Sequence, residues 1–267
     1  PGAAFIEFQV PLPMTPEGGV LSLDAGSTPG LAVRQASPNP GGDAVAVATD
    51  GIHAFVGTRQ GEVFAVALRS GVVLDGIKPG PAPIQDLRAA GDEVHVYQER
   101  SMTIYRFANR RFALAGRVDL PGSANPNLRM RLFVGGETAY AVHRRGYDLV
   151  DVSDPALPTL LESVETGQFG WKQIVDNGSG LGVGAVSASA TLDRPHHVSL
   201  LDLNELNRPG FTTEFSSFND TATAEIYTGL AYVADSAAGL QVVNYLAFDA
   251  NGQPPTIELF SGLAGAS

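Results

Sequence analysis

The chain has 267 residues, with 31 glycines, 18 prolines and no cysteine, and 28 acidic against 17 basic side chains give a formal charge of −11. The 44% apolar content can bury a large core in one domain or two, and the Gly and Pro content marks many turns without reaching the level of a disordered chain. This composition excludes a disulfide scaffold and thiolate metal sites, offers no apolar run for membrane insertion, and argues against nucleic acid as a partner.

In chain order, residues 1–42 come first and match nothing downstream. Phe5 to Val10 alternates like a strand, Pro11, Pro13 and Pro16 interrupt the chain beyond it, and Gly19 to Leu23 is a second short strand. This segment either leads in from a preceding domain or, with the C-terminal strand, completes a partial blade. Pro1 to Ala4 has no initiator Met and no leader pattern. Ser261 to Ser267 is small and polar, and residues 264–267 read as a linker or clipped end. Both ends are therefore expected to be cuts in a longer chain.

From residue 43 the chain repeats itself. Each unit is an alternating strand, a short polar turn and a second alternating strand. The first is His53 to Leu68 (HAFVGTRQGEVFAVAL), and the second is Glu93 to Phe107 (EVHVYQERSMTIYRF). The third is Thr138 to Ser153 (TAYAVHRRGYDLVDVS). The fourth, Leu181 to Leu203, is looser, with an inserted turn around Asp193 to Pro195, and the fifth is Leu230 to Asn244 (LAYVADSAAGLQVVN). Phe55, His95, Tyr140, Val183 and Tyr232 are the equivalent positions, spaced by 40, 45, 43 and 49 residues.

A strand precedes most units (Ala44 to Thr49, Ile84 to Ala89, Met130 to Gly135, Thr223 to Tyr227). Another comes after (Val72 to Ile77, Arg111 to Leu120, Thr159 to Val164, Thr256 to Phe260). Four strands at this period are the pattern of propeller blades, because a lone four-stranded sheet cannot cover both faces and a radial stack can. The expected fold is all-β: a β-propeller of five recognisable four-stranded blades, with a sixth if the N- and C-terminal segments complete it. The propeller runs over 43–263, with blades at about 43–80, 81–122, 128–168, 171–216 and 219–262. Helical signal is nearly absent, with one turn over Asp202 to Asn207 as the exception.

The third unit continues from Ala139-Tyr140-Ala141-Val142 through Tyr147 to Asp154-Pro155 and on to Pro158, and the fifth repeats it at Leu230 to Asp235 and Gly239 to Asn244. These runs resemble the LVIVD repeat family. The resemblance covers two of five units, and the second unit departs from it at His95 and at Met102 to Tyr105. It implies a β-propeller in a bacterial or archaeal secreted or cell-surface protein, often one module of a long chain. It implies no known chemistry and no catalytic residue. In the residues themselves, Asp151, Ser153 and Asp154 can accept backbone N–H bonds in a turn, and Pro155 ends the strand.

Candidate chemistry is thin. His53, His95 and His143 lie in consecutive units but at the start, inside and end of their strands, which argues against a shared metal. Adjacent strand residues such as His196 and His197 face opposite ways. There is no G-x-S-x-G elbow and no H-E-x-x-H motif. Gly178 to Gly184 lacks the Lys and the helix of a phosphate loop and reads as a hairpin turn. Asp176 to Ser179 and Asp249 to Gly252 look like truncated calcium loops, but neither supplies enough ligands, so turns are favoured and Ca2+ is the alternative cofactor. Asn177 and Asn219 are sequons that matter only in a eukaryotic secretory route.

Charge is the informative surface feature. Arg100 to Arg145 holds nine arginines and two acids, +7, whereas residues 1–99 carry −6 and 146–267 carry −12. Arg106, Arg110, Arg111, Arg129, Arg131, Arg144 and Arg145 form the candidate docking patch, since the planar guanidinium suits carboxylate, phosphate or sulfate. The bland alternative is solvated blade rims. The expected function is a non-enzymatic binding or assembly module of an extracellular or cell-surface protein. Its partner is an acidic protein, an acidic polysaccharide or a neighbouring copy. The alternatives are a propeller hydrolase or lactonase with a central metal, and an architectural spacer in an adhesin or filament.

Overall fold

Alternating Val, Ala, Phe and Tyr residues build twenty strands, which pair in chain order into five four-stranded antiparallel sheets among the described residues. The computed structural model describes residues 43–122, 130–166, 170–176, 181–186, 197–202, 210–216, 223–227, 230–234, 239–244 and 256–260. Residues 1–42 and 264–267 lie outside that set. So do Arg129, His196, the turn after Asp202 and the loop at Asp249 to Gly252.

The first sheet holds β1 (Ala44–Thr49), β2 (His53–Thr58), β3 (Val63–Ala67) and β4 (Val73–Ile77). The second holds β5 (Ile84–Ala90), β6 (Glu93–Gln98), β7 (Ser101–Ala108) and β8 (Arg111–Asp119). The third holds β9 (Leu132–Gly135), β10 (Thr138–His143), β11 (Gly146–Asp151) and β12 (Thr159–Glu165). The fourth holds β13 (Trp171–Asp176), β14 (Leu181–Val186), β15 (His197–Asp202) and β16 (Gly210–Ser216). The fifth holds β17 (Thr223–Tyr227), β18 (Leu230–Ala234), β19 (Leu240–Asn244) and β20 (Thr256–Phe260).

The sheets stack face to face in sequence. First strands lie against first strands, β1 on β5, β5 on β9, β9 on β13 and β13 on β17, while the last strands β4, β8 and β12 also approach in turn. Period-2 alternation makes this possible, because each strand sends odd and even side chains to opposite neighbours. Val94 and Val96 of β6 join Phe55, Val63, Ala65 and Phe107 in the core between the first two sheets. Tyr97 from the same strand packs with Met102, Leu132, Ala139 and Ala141 between the second and third. Tyr140 and Val142 then join Tyr147, Trp171 and Ile174 between the third and fourth. A buried Phe, Leu or Val here is worth about 1.5–3 kcal/mol, so each interface is a small hydrophobic core.

The repeat extends to backbone irregularities. The register shifts at Ala44/Ala46, Ile84/Asp86 and Trp171/Gln173 on three first strands. It shifts again between third and fourth strands at Ala65/Val66, Ile104/Tyr105, Leu149/Val150 and Leu200/Leu201. Bulges of this kind bend a strand and increase its twist, which a wedge-shaped sheet needs. The β7–β8 hairpin closes through Asn109 and Arg110, both with positive φ (52° and 64°), a two-residue turn matched to strand twist.

Candidate docking surface and its framework

Strand direction sorts every side chain to one of two ends. The chain passes from sheet to sheet at the crossover end, which also carries the β2–β3, β6–β7 and β10–β11 turns. The far end carries the β1–β2, β3–β4, β5–β6, β7–β8 and β9–β10 turns.

The seven candidate arginines are divided by this geometry. Arg106, Arg110 and Arg111 lie at the far end, exposed at the β7–β8 hairpin. Arg131, Arg144 and Arg145 lie at the crossover end, a strand's length away. Arg129 falls outside the described residues. A run contiguous in sequence therefore does not make one patch, because every antiparallel turn reverses which end the next residues reach. Sequence reasoning left out two arginines that do belong with the crossover group, Arg100 in the β6–β7 turn and Arg117 near the end of β8.

The crossover arginines stand on a fixed frame. Gly170 N–H donates to the Arg144 carbonyl at 3.0 Å, and Thr166 donates to the Arg145 carbonyl through its N–H at 2.7 Å and its hydroxyl at 2.8 Å. Trp171 Nε1 donates to Thr166 Oγ1 at 2.9 Å, which anchors the frame in the core between the third and fourth sheets. Arg145 Nη1 is 3.1 Å from Glu165, and Arg131 Nη1 is 3.7 Å from Asp86.

Beneath this end, buried polar groups join sheet to sheet. Asp86 on β5, 1% exposed, accepts the Leu132 N–H at 2.9 Å and lies 3.4 Å from Arg88, whose Nε donates to the Leu132 carbonyl at 2.6 Å. Gln173 on β13 does the same neutrally. Its Oε1 accepts the Ala224 N–H at 2.9 Å and the Thr223 hydroxyl at 2.6 Å, and its Nε2 donates to the Ala224 carbonyl at 2.8 Å. Each comes just after the bulge of its first strand, so the irregularity aims one polar side chain at the next sheet.

Asp148, His143 and Ser163 are the three residue types of a nucleophilic triad brought together, but their order is wrong for one. Ser163 Oγ donates to Asp148 Oδ1 at 2.5 Å rather than to the histidine, and Asp148 Oδ2 accepts the Gly122 N–H at 3.0 Å. His143 Nδ1 accepts from Arg145 N–H at 3.3 Å, and its Nε2 lies 3.9 Å from Asp148. Burial raises the Asp148 pKa and lowers that of His143, so the pair resists both charges. The group latches the crossover at Gly122 onto the third sheet.

His53, His95 and His143 stay apart. His53 bonds Asp50 at 2.8 Å at the far end, His95 is mid-strand, and His143 is at the crossover end. No group of three His, Cys, Asp or Glu suited to a metal occurs among the described residues.

Sequentially stacked four-stranded sheets with first strands together define a β-propeller. Solved structures agree on the fold. The chain is similar to Sqt1 of Saccharomyces cerevisiae (TM-score 0.61, 9% identity, covering 82% of this chain and 62% of that one). It is likewise similar to the Cps50 (Swd1) β-propeller domain of Myceliophteria thermophila (TM-score 0.56, 12% identity, covering 76% and 65%). The chain spans under two thirds of the length of each. No curated protein matches it in sequence. Residues 130–166, which cover the third sheet, match the LVIVD repeat, so the chain is a β-propeller that carries an LVIVD repeat in its third sheet.

Proposed function

We propose that the protein is a non-enzymatic docking module of a secreted or cell-surface protein, and that an acidic protein partner binds at its crossover end. The five sheets are read as consecutive blades, with a sixth if the N- and C-terminal segments together complete it. The observation that carries the reading is the rigid display of Arg144 and Arg145 on a turn tied to Thr166 and Gly170, with Arg100, Arg117 and Arg131 at the same end. With the backbone of the turn fixed, only side-chain rotamers remain to be ordered when a guanidinium meets a carboxylate. The test is capture of the native partner by the purified chain at rising ionic strength. Binding is expected to fall steeply with salt and with Arg144→Glu, and to survive Arg110→Glu at the far end. Capture indifferent to salt and to Arg144→Glu would discard the proposal.

A further inference from the structure

A cavity of about 380 Å3 opens at the crossover end, between the stretch of chain that leaves the first sheet at Gly80 to Ala82 and the β6–β7 turn and β8 end of the second. Its floor is built from side chains that the fold holds still. Gln98 is 3% exposed and its Nε2 donates to the Ala82 carbonyl at 2.6 Å, which fixes the amide and leaves Oε1 without a hydrogen bond among the described residues. Ser101 is 5% exposed, and its hydroxyl likewise has no partner there. Neither oxygen is sealed off from the cavity.

The walls add charge in balanced amounts. Arg100 is exposed at the turn, with its carbonyl accepting Leu120 N–H at 2.9 Å, and makes no ion pair among the described residues. Arg117 lies 3.4 Å from Asp119, and Glu99 completes the rim. Two guanidinium and two carboxylate groups leave the site formally neutral, so a polyanion gains little from entering it. What matches is one carboxylate beside a hydrogen-bond donor: carboxylate to Arg100 and Arg117, amide N–H to Gln98 Oε1. The volume suits a short piece of chain rather than a whole domain surface.

We propose that this cavity binds a peptide segment through one Asp or Glu side chain and the backbone N–H next to it. The inference rests on the docking reading above and names its anchor point.

The probe is acetyl-Gly-Glu-Gly-amide, titrated into the isotope-labelled full chain while backbone amide signals are followed. Saturable shifts confined to Glu99, Arg100, Ser101, Asp119 and Leu120 are expected at millimolar peptide, on the order of the affinity one buried carboxylate contact gives. Acetyl-Gly-Gln-Gly-amide should bind roughly tenfold more weakly, and Arg100→Gln should cost a similar factor. Gly80→Ala, whose Cβ would stand 3.0 Å from Gln98 Oε1, should weaken binding without touching charge. No shift at these amides, an equal response to the Gln peptide, or indifference to Arg100→Gln would each overturn the site. Polygalacturonate shifting the same amides more tightly per carboxylate would also overturn it, in favour of a polysaccharide. If Arg144→Glu abolishes partner capture while the peptide fails, the cavity assignment falls alone. If the peptide binds and capture ignores Arg144→Glu, the docking reading falls instead.

Discussion

His95 occupies the position that is Phe55 in the first sheet and Tyr140 in the third, the third residue of the second strand, and it is as buried as they are, at 1% exposure. Neither ring nitrogen has a hydrogen bond, although Glu93 is 3.3 Å from Nε2. Burial pushes its pKa down to about 4, so the ring is neutral in the folded chain at neutral pH. An unfolded histidine takes up a proton near pH 6.5. Stability from this site is therefore intact above that value and is lost as pH falls towards 4, by roughly 3 kcal/mol over the window. His95→Phe, which restores the aromatic of the other repeats, is expected to flatten the acid side of the stability profile. Urea unfolding at pH 7 and pH 5 measures this, and an unchanged difference between the two would refute it.

At the scale of elements, two of the first strands, β5 and β13, do two jobs. Their apolar side chains fill the cores, and one polar side chain after the bulge reaches the next sheet, Asp86 to Leu132 and Gln173 to Ala224. Asp86→Ala would leave Leu132 N–H unpaired and remove the carboxylate that faces Arg88 and Arg131, a loss of about 3–5 kcal/mol. Gln173→Ala removes only neutral bonds and should cost less, about 1–3 kcal/mol. The two clamps belong to separate interfaces and share no partner. The double variant is therefore expected to add to within about 0.5 kcal/mol in denaturant unfolding. Strong non-additivity would mean that the sheets do not act as nearest-neighbour units.

Across the whole molecule the charge of −11 coexists with an arginine-rich crossover end. Self-repulsion of that net charge weakens the folded state, while exposed pairs such as Arg59–Asp43 at 3.8 Å contribute little in return. Raising salt from about 10 mM to about 150 mM should therefore raise the melting temperature by roughly 2 °C at neutral pH. A fall would mean that ion pairs outweigh repulsion. The same salt weakens docking at the crossover end, so stability and binding are expected to move in opposite directions.

Strand alternation and the 40–49 residue spacing were legible from the residues alone, because side-chain period and turn chemistry are local. The observed β1 and β17 match the expected strands residue for residue, β2 and β18 begin where their units begin, and β9 starts two residues late, at Leu132 rather than Met130. The equivalence of Phe55, His95 and Tyr140 was legible for the same reason. Other features depend on how strands reverse and stack. The +7 stretch is one block in sequence but two groups in space, since each hairpin sends its arginines to the opposite end. Gln98 and Ser101 carried no signal, being ordinary turn-flanking residues until a crossover from the neighbouring sheet walls them into a cavity. Asp86 read as a common strand residue and Gln173 carried no signal at all, and both became clamps only once a bulge turned them towards the next sheet's backbone. Local sequence thus determined how often the strands recur and where they lie outside the looser fourth unit, whose β13 and β16 it did not mark, whereas long-range packing decided which charges share a surface and which polar groups are left for a partner.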